Sequence, residues 1–469
     1  MLQPVNRLPP EILSRIVQAV TLVDDTSDTL SIIVMTHVCR YWRESIISTP
    51  GNWTVISSQS KGLMALSLER SKAAPLTLSL RMSEIDDIPG FSDLIVPHIQ
   101  KTKNLRVNGI FPVGEITQKL PNFPQSMPNL RSLELSRSVA EWDDPIDPFG
   151  SFPHTLRHLT LACFPLYPSL LRLRALTELV IYNYGNKLDL HLDTLLDFLE
   201  ANPSLESASF RFRFTGPSLR NLRRRAAIET QLRYLFIRYW DLIDGKALMS
   251  KIALRKGAQL EIDCRDRATG FNDLLSDIPT TQFSNLLSPT SINYESTGTM
   301  IRLLGPNGSF SFGKIVSSRK PFIEFPLLPL TNIRKFHLAN PPSLQGLRPV
   351  LQSSFFPALE TFTVDREASI SHLLSNVLST PSSLPSLTTF GFLDCILSPD
   401  FMEALTRFAS NRKNTTLALL HRVVIVHSVG KLPDVVSIDA LRDHVPVVDI
   451  GMDRQLLEDL VWKGCGRCI

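Results

Sequence analysis

Cysteine is scarce and scattered. The 469-residue chain has six, at Cys39, Cys163, Cys264, Cys395, Cys465 and Cys468. That is too sparse for a disulfide framework and fits a reducing compartment. Long apolar runs are missing too. No uninterrupted stretch approaches the roughly 18 residues a bilayer span needs, and no basic segment followed by an apolar one marks a secretory signal. The expected setting is intracellular, cytoplasmic or nuclear, with no membrane partner. Net charge is nearly absent, since 49 Lys and Arg face 45 Asp and Glu. The resulting +4 gives no strong electrostatic case for nucleic acid or an anionic membrane. Glycine, at 21, is outnumbered by proline, at 33. What remains is 43% hydrophobic and 20% charged, the composition of a globular chain. It is long enough for more than one domain or for a repeat array.

From about residue 75 a loose unit recurs: an apolar residue, another three positions on, then alternation. It reads Leu130-Arg-Ser-Leu133-Glu-Leu135, Leu156-Arg-His-Leu159-Thr-Leu161, Leu176-Thr-Glu-Leu179-Val-Ile181, Leu205-Glu-Ser-Ala208-Ser-Phe210 and Leu232-Arg-Tyr-Leu235-Phe-Ile237. After a gap follow Ile333-Arg-Lys-Phe336-His-Leu338, Leu359-Glu-Thr-Phe362-Thr-Val364, Leu387-Thr-Thr-Phe390-Gly-Phe392 and a last unit at Val445 to Ile450. Successive starts lie 26, 20, 29 and 27 residues apart, then 26 and 28. Such periods predict an α/β solenoid with one short strand and one return segment per unit. The alternation is the signal of a half-buried strand. Many units are introduced by Pro-x-Leu, as at Pro128, Pro203, Pro357 and Pro385, because proline biases its predecessor to extended geometry. Leu76 to Leu80 and Leu105 to Ile110 are expected to supply the first strands. Leu188 to Glu200 and Ala368 to Leu378 have helical periodicity and are expected as returns. Residues 265–330 break the period, and Ile301 to Leu304 with Ser309 to Val316 read as an inserted hairpin near 295–318.

Chemistry is weakly supported. Gly308-Ser-Phe-Ser-Phe-Gly313-Lys314-Ile315 matches the spacing of a phosphate loop, but Ile315 stands where a magnesium-ligating hydroxyl is needed, and Phe310 and Phe312 alternate like a strand. Cys465-Gly-Arg-Cys468 lacks a second ligand pair for zinc. The paired acids Asp24-Asp25 and Asp143-Asp144 read as solvated turns. Arg220 to Arg225, with four arginines, reads as a solvated helix face. No catalytic residue, cofactor or metal ligand is assigned, and the chain is read as a non-enzyme.

The sharpest local signature is N-terminal. Leu8, Ile12, Leu13, Ile16 and Val17 recur at helical spacing, with Pro9 and Pro10 in the first turn. Thr29 to Ser48 puts Ile33, Val34, Val38, Trp42 and Ile46 on one stripe, stopped by Pro50 and Gly51. The ordered set Leu8-Pro9-Pro10-Glu11-Ile12-Leu13, Val38-Cys39-Arg40-Tyr41-Trp42-Arg43 and Pro50-Gly51-Asn52-Trp53 resembles an F-box, particularly those of fungal proteins, and the repeats resemble degenerate leucine-rich repeats of the kind that follow F-boxes. Thr21 to Thr29 is longer and more polar than the usual connector. The resemblance implies an all-α F-box-like domain over 4–55, a linker over 56–75, an irregular leucine-rich-repeat solenoid over 76–455 and a tail over 456–469. It further implies that Leu8, Pro9, Ile12, Leu13, Ile16, Val38, Cys39, Trp42, Arg43, Pro50 and Trp53 dock on a Skp-family adaptor, and through it a cullin. The implied function is substrate recognition in a ubiquitin ligase; the alternative is a repeat scaffold acting outside any ligase.

Between the core-facing residues of each strand, side chains point to the opposite sheet face. There the sequence sets Tyr182, then Ser209, Arg211 and Arg213, then Phe236, Arg238 and Trp240. Exposed aromatics with arginines favour an interface, so this stretch is expected to bind an acidic or phosphorylated target protein.

Overall fold

A computed structural model of the chain describes residues 8–23, 29–85, 90–110, 116, 120, 122–137, 152–164, 170, 172–182, 192–211, 228–239, 248–264, 291–295, 300–305, 308–314, 330–339, 356–365, 384–393, 399–414, 417–426 and 435–451. It is a mixed α/β protein with parallel sheets, in two compact units, 1–224 and 225–469.

The first unit opens with three helices, α1 (Pro10–Val23), α2 (Thr29–Thr36) and α3 (Arg40–Ser48). Helix α3 starts because Cys39 is extended and its Sγ accepts the Trp42 N–H at 3.5 Å, a side-chain N-cap. Leu13, Val17, Ile32, Trp42, Ile46 and Trp53 close a small core. Where a linker is expected, the chain instead forms β1 (Val55–Ser57) and α4 (Lys61–Arg70), the latter capped by Ser60. The physical reason is burial: Ile56, Met64 and Leu68 are all sealed from solvent.

Strands β2 (Leu76–Arg81), β3 (Thr102–Gly109), β4 (Ser132–Arg137), β5 (His158–Ala162), β6 (Glu178–Tyr182) and β7 (Ser207–Arg211) follow, with short helices α5 (Met82–Ile85) and α6 (Phe91–Ile95) and a longer α7 (Leu192–Ala201) between them. From β1 to β7 each strand pairs in parallel with the next in the chain. The lead-in turns repeat. Leu130 N–H bonds to Met127 C=O, Leu156 to Pro153 and Leu205 to Asn202, and each of these leucines is buried. The residue before each lead-in leucine fastens one turn to the preceding one: Asn129 Nδ2 donates to the Gln100 carbonyl at 2.9 Å, Thr155 Oγ1 to Pro128 at 2.8 Å and Ser204 Oγ to Arg174 at 2.9 Å.

In the second unit β8 (Ile228–Glu229) pairs only with β10 (Ile252–Ala253) among the described strands, while β9 (Tyr234–Tyr239) pairs in parallel with β11 (Gln259–Cys264). Three further strands are antiparallel to one another: β12 (Ser291–Glu295), β13 (Met300–Gly305) and β14 (Gly308–Lys314). β13 and β14 make the hairpin that the sequence placed there; β12 is a third strand beyond it. β14 lies parallel to β11, and β12 lies parallel to β15 (Lys335–Ala339). Then β16 (Thr361–Asp365), β17 (Thr389–Leu393), β18 (Arg422–Val426) and β19 (Val447–Gly451) pair in chain order, all parallel. Helices α8 (Pro399–Lys413) and α9 (Val435–Arg442) lie between the last strands. Leucine fills the strand core of the first unit, and phenylalanine much of the second. Phe336, Phe362 and Phe390, in register on adjacent strands, have ring centroids 5.5 and 5.3 Å apart.

Candidate docking surface

The three N-terminal helices sort the eleven expected docking residues into two groups. Leu13, Trp42 and Trp53 are buried in the helical core. Pro9, Ile12, Val38 and Arg43 are exposed, and Leu8, Ile16, Cys39 and Pro50 are half-buried. The buried group is held by polar contacts as well as packing. Trp53 Nε1 donates to the Ile46 carbonyl at 3.0 Å, and the Arg70 guanidinium lies 4.4 Å from the Trp53 ring centroid. Ser14 Oγ donates to Asn52 Oδ1 at 2.7 Å, and Tyr41 OH donates to the Leu8 carbonyl at 2.7 Å.

Outside that core the same helices, with the turn between α2 and α3, present bare aliphatic side chains. Val34 on α2 is 68% exposed and Val38, in that turn where the sequence predicts continuous helix, 54%, with Ile12, Val20 and Ile47 also exposed. Among the described residues, five of the nine large exposed apolar side chains fall within positions 12–47. Sequence reasoning placed Val34 on the apolar stripe but did not name it, Val20 or Ile47 for docking; periodicity marks a stripe and does not say which edge of it stays open. Polar groups flank this surface. Arg40 Nε and Glu44 Oε1 are 2.7 Å apart, and that hydrogen bond holds the exposed Arg40 guanidinium above its ordinary pKa. Arg43 Nε donates to the Thr36 carbonyl at 3.0 Å and ties α3 to the end of α2.

The expected target-binding face is assembled only in part. Arg211 lies 6.0 Å from the Tyr182 ring on the neighbouring strand, both half-buried. Phe236 is 5% exposed, so it packs and does not project as an exposed aromatic. Arg238 Nε meets Asp263 Oδ2 at 2.5 Å and stacks over Phe236 at 5.8 Å. Arg213 and Trp240 lie outside the described residues, as do Arg220 to Arg225, both acid pairs and the cysteines at 465 and 468. The phosphate-loop-like segment forms β14, an extended strand.

Among the described residues no three His, Cys, Asp or Glu side chains converge as metal ligands, and no helix is long and apolar enough to cross a membrane. In comparisons with known proteins, no family model matches the chain and no curated protein is significantly similar to it.

Proposed function

We propose that this chain is the target-recognition subunit of a Skp–cullin–F-box type ubiquitin ligase. In this reading residues 4–55 are an F-box-like domain that docks on a Skp-family adaptor, and 76–455 are an irregular leucine-rich-repeat solenoid that binds the target. The observation that carries it is the concentration of exposed valine and isoleucine on a helical unit whose own core is already closed. Exposed apolar side chains gathered in this way suit an interaction site, and covering them yields about 25 cal/mol per Å². Parallel strands pairing in chain order fit the repeat reading. The chain supplies proximity, holding a target lysine near an enzyme recruited elsewhere in the complex.

The test is co-purification with a Skp-family adaptor. Val34→Asp with Val38→Asp should weaken capture by at least about tenfold while leaving the thermal transition in place, because both residues are exposed. Trp42→Ala is the poorer probe, since Trp42 is buried and its loss acts through folding. Undiminished capture by the double variant refutes the docking assignment. Ubiquitylation of a captured protein by the assembled complex then tests the ligase role.

A further inference from the structure

The ladder of the first unit carries a row of cations where its strands begin. Lys103, Arg131 and Arg157 each precede the register-matched residues Asn104, Ser132 and His158. The Arg131 N–H donates to the Lys103 carbonyl at 2.7 Å and the Arg157 N–H to the Arg131 carbonyl at 2.8 Å. The three are therefore neighbours on adjacent strands, about 4.8 Å apart from strand to strand. Lys103 and Arg131 are exposed and Arg157 half-buried. At the next strand start Thr177 takes this place, its N–H donating to the Arg157 carbonyl at 2.8 Å, so the row ends at Arg157. Among the described residues no carboxylate pairs with any of these three.

That pattern contrasts with three strand arginines that each face an acid on the next strand. Arg106 meets Glu134 at 2.8 Å, Arg238 meets Asp263 at 2.5 Å and Arg422 meets Asp449 at 2.7 Å. Cross-strand pairing of opposite charges stabilises a sheet and like charges side by side destabilise it. Those three pairs follow that rule, and the row from Lys103 to Arg157 breaks it.

We infer that this edge binds an acidic peptide segment of a partner protein, laid across the strand starts from Lys103 to Arg157. Guanidinium forks pair with carboxylates in two-point fashion, and a row with one cation per strand suits an extended chain carrying repeated acids. A single-stranded nucleic acid would want aromatic platforms, whereas every large exposed apolar side chain among the described residues is aliphatic. The assignment goes beyond the ligase reading and does not rest on it. It also lies apart from the face carrying Tyr182 and Arg211.

The test uses the full chain and a fluorescein-labelled oligoglutamate peptide, read by anisotropy at low and at physiological salt. The wild type should bind at low salt and weaken as salt rises, because exposed charges are screened beyond about 10 Å at 0.1 M. The Lys103→Glu, Arg131→Glu, Arg157→Glu triple variant should lose at least about tenfold, and a triple of equal charge change at exposed Arg40, Arg407 and Arg442 less than about twofold. If the edge triple does not fold, Lys103→Gln with Arg131→Gln takes its place, with a smaller loss expected. Absence of binding at low salt, or equal losses in both triples, overturns the proposal. So does tighter binding of oligothymidylate or phosphatidylserine vesicles than of the peptide. Adaptor capture by the edge triple should match wild type, which separates failure here from failure of the ligase reading.

Discussion

His337 and Arg412 show two responses to one problem, a basic side chain in a desolvated place. His337 sits at the centre of β15, in register between Asn293 on β12 and Thr363 on β16, and Thr363 is 1% exposed. Its Nδ1 is sealed from solvent and has no hydrogen-bond partner among the described residues. Burial pushes its pKa from 6.5 down to about 4. Arg412 cannot shed its proton near neutrality, since burial brings it only to about 10. It is satisfied instead by backbone carbonyls. For His337 the sign is fixed by linkage: the unfolded chain binds a proton near pH 6.5 and the folded chain only near 4, so folding stability is lost as pH falls through that window. The loss at pH 4 is of order 2 kcal/mol, taken below the ideal value because the ring keeps some exposed surface. Thermal midpoints of wild type and His337→Gln should therefore diverge in slope between pH 6.5 and 4. The variant should be the less pH-sensitive; parallel curves would refute the assignment.

The strand signal was readable in most places where an apolar lead residue stood three positions before an alternating pair. Leu133, Leu159, Leu179, Ala208, Leu235, Phe336, Phe362 and Phe390 all begin the core row of a strand. Among the strands that signal missed, β11 and β18 show physical reasons. In β11 the position three before Leu260 is Gly257, in a left-handed conformation with φ of 85°, so no apolar lead residue marks the strand. In β18 Val424 is buried on the face that should be polar, so Val423 to Val426 reads as a continuous run and the alternation vanishes. The antiparallel strand β12 was illegible because one of its two partners, β15, is remote in sequence.

Arg412 itself belongs to the tertiary level. Its Nε donates to the Ala418 carbonyl at 2.9 Å, and its Nη atoms donate to Leu384, Pro385 and Leu387 at 3.0, 3.0 and 3.1 Å. One side chain thus fastens α8 to the turn before β17 and to the stretch leading into β18. Leu384 sits in that turn with φ of 53°, a left-handed conformation a leucine adopts at a cost. Arg412→Met keeps bulk but strands four carbonyls, and should cost about 3 kcal/mol in denaturant unfolding. Arg412→Lys should recover only a minor part, because a single ammonium cannot reach all four. A loss below about 0.5 kcal/mol in the methionine variant would sink the clamp.

At the scale of the whole chain the N-terminal helices and the first ladder fall in one compact unit, 1–224, and the joint between them explains why. The sequence marked Trp53 as the end of a docking motif and placed a linker after it. A lone 60-residue domain is marginal because it buries only about 60% of its unfolded surface. The structure enlarges that burial by using Trp53 twice: its ring is fully buried in the helical core, and Arg70 of α4 lies against it. Leu66 of α4 packs on the same core, and the Thr77 N–H of β2 bonds to the Thr54 carbonyl at 2.9 Å. The helices therefore end the ladder at β1 as well as presenting their exposed valines. Two outcomes follow from that sharing. Limited proteolysis of the native chain should spare 56–75, since backbone there is held in β1 and α4. Trp53→Ala should cost about 3–5 kcal/mol and should lower hydrogen-exchange protection in β2 and β3 together with α1 and α3. Loss confined to the helices, with the strands unchanged, would restore the picture of a separable head on a linker.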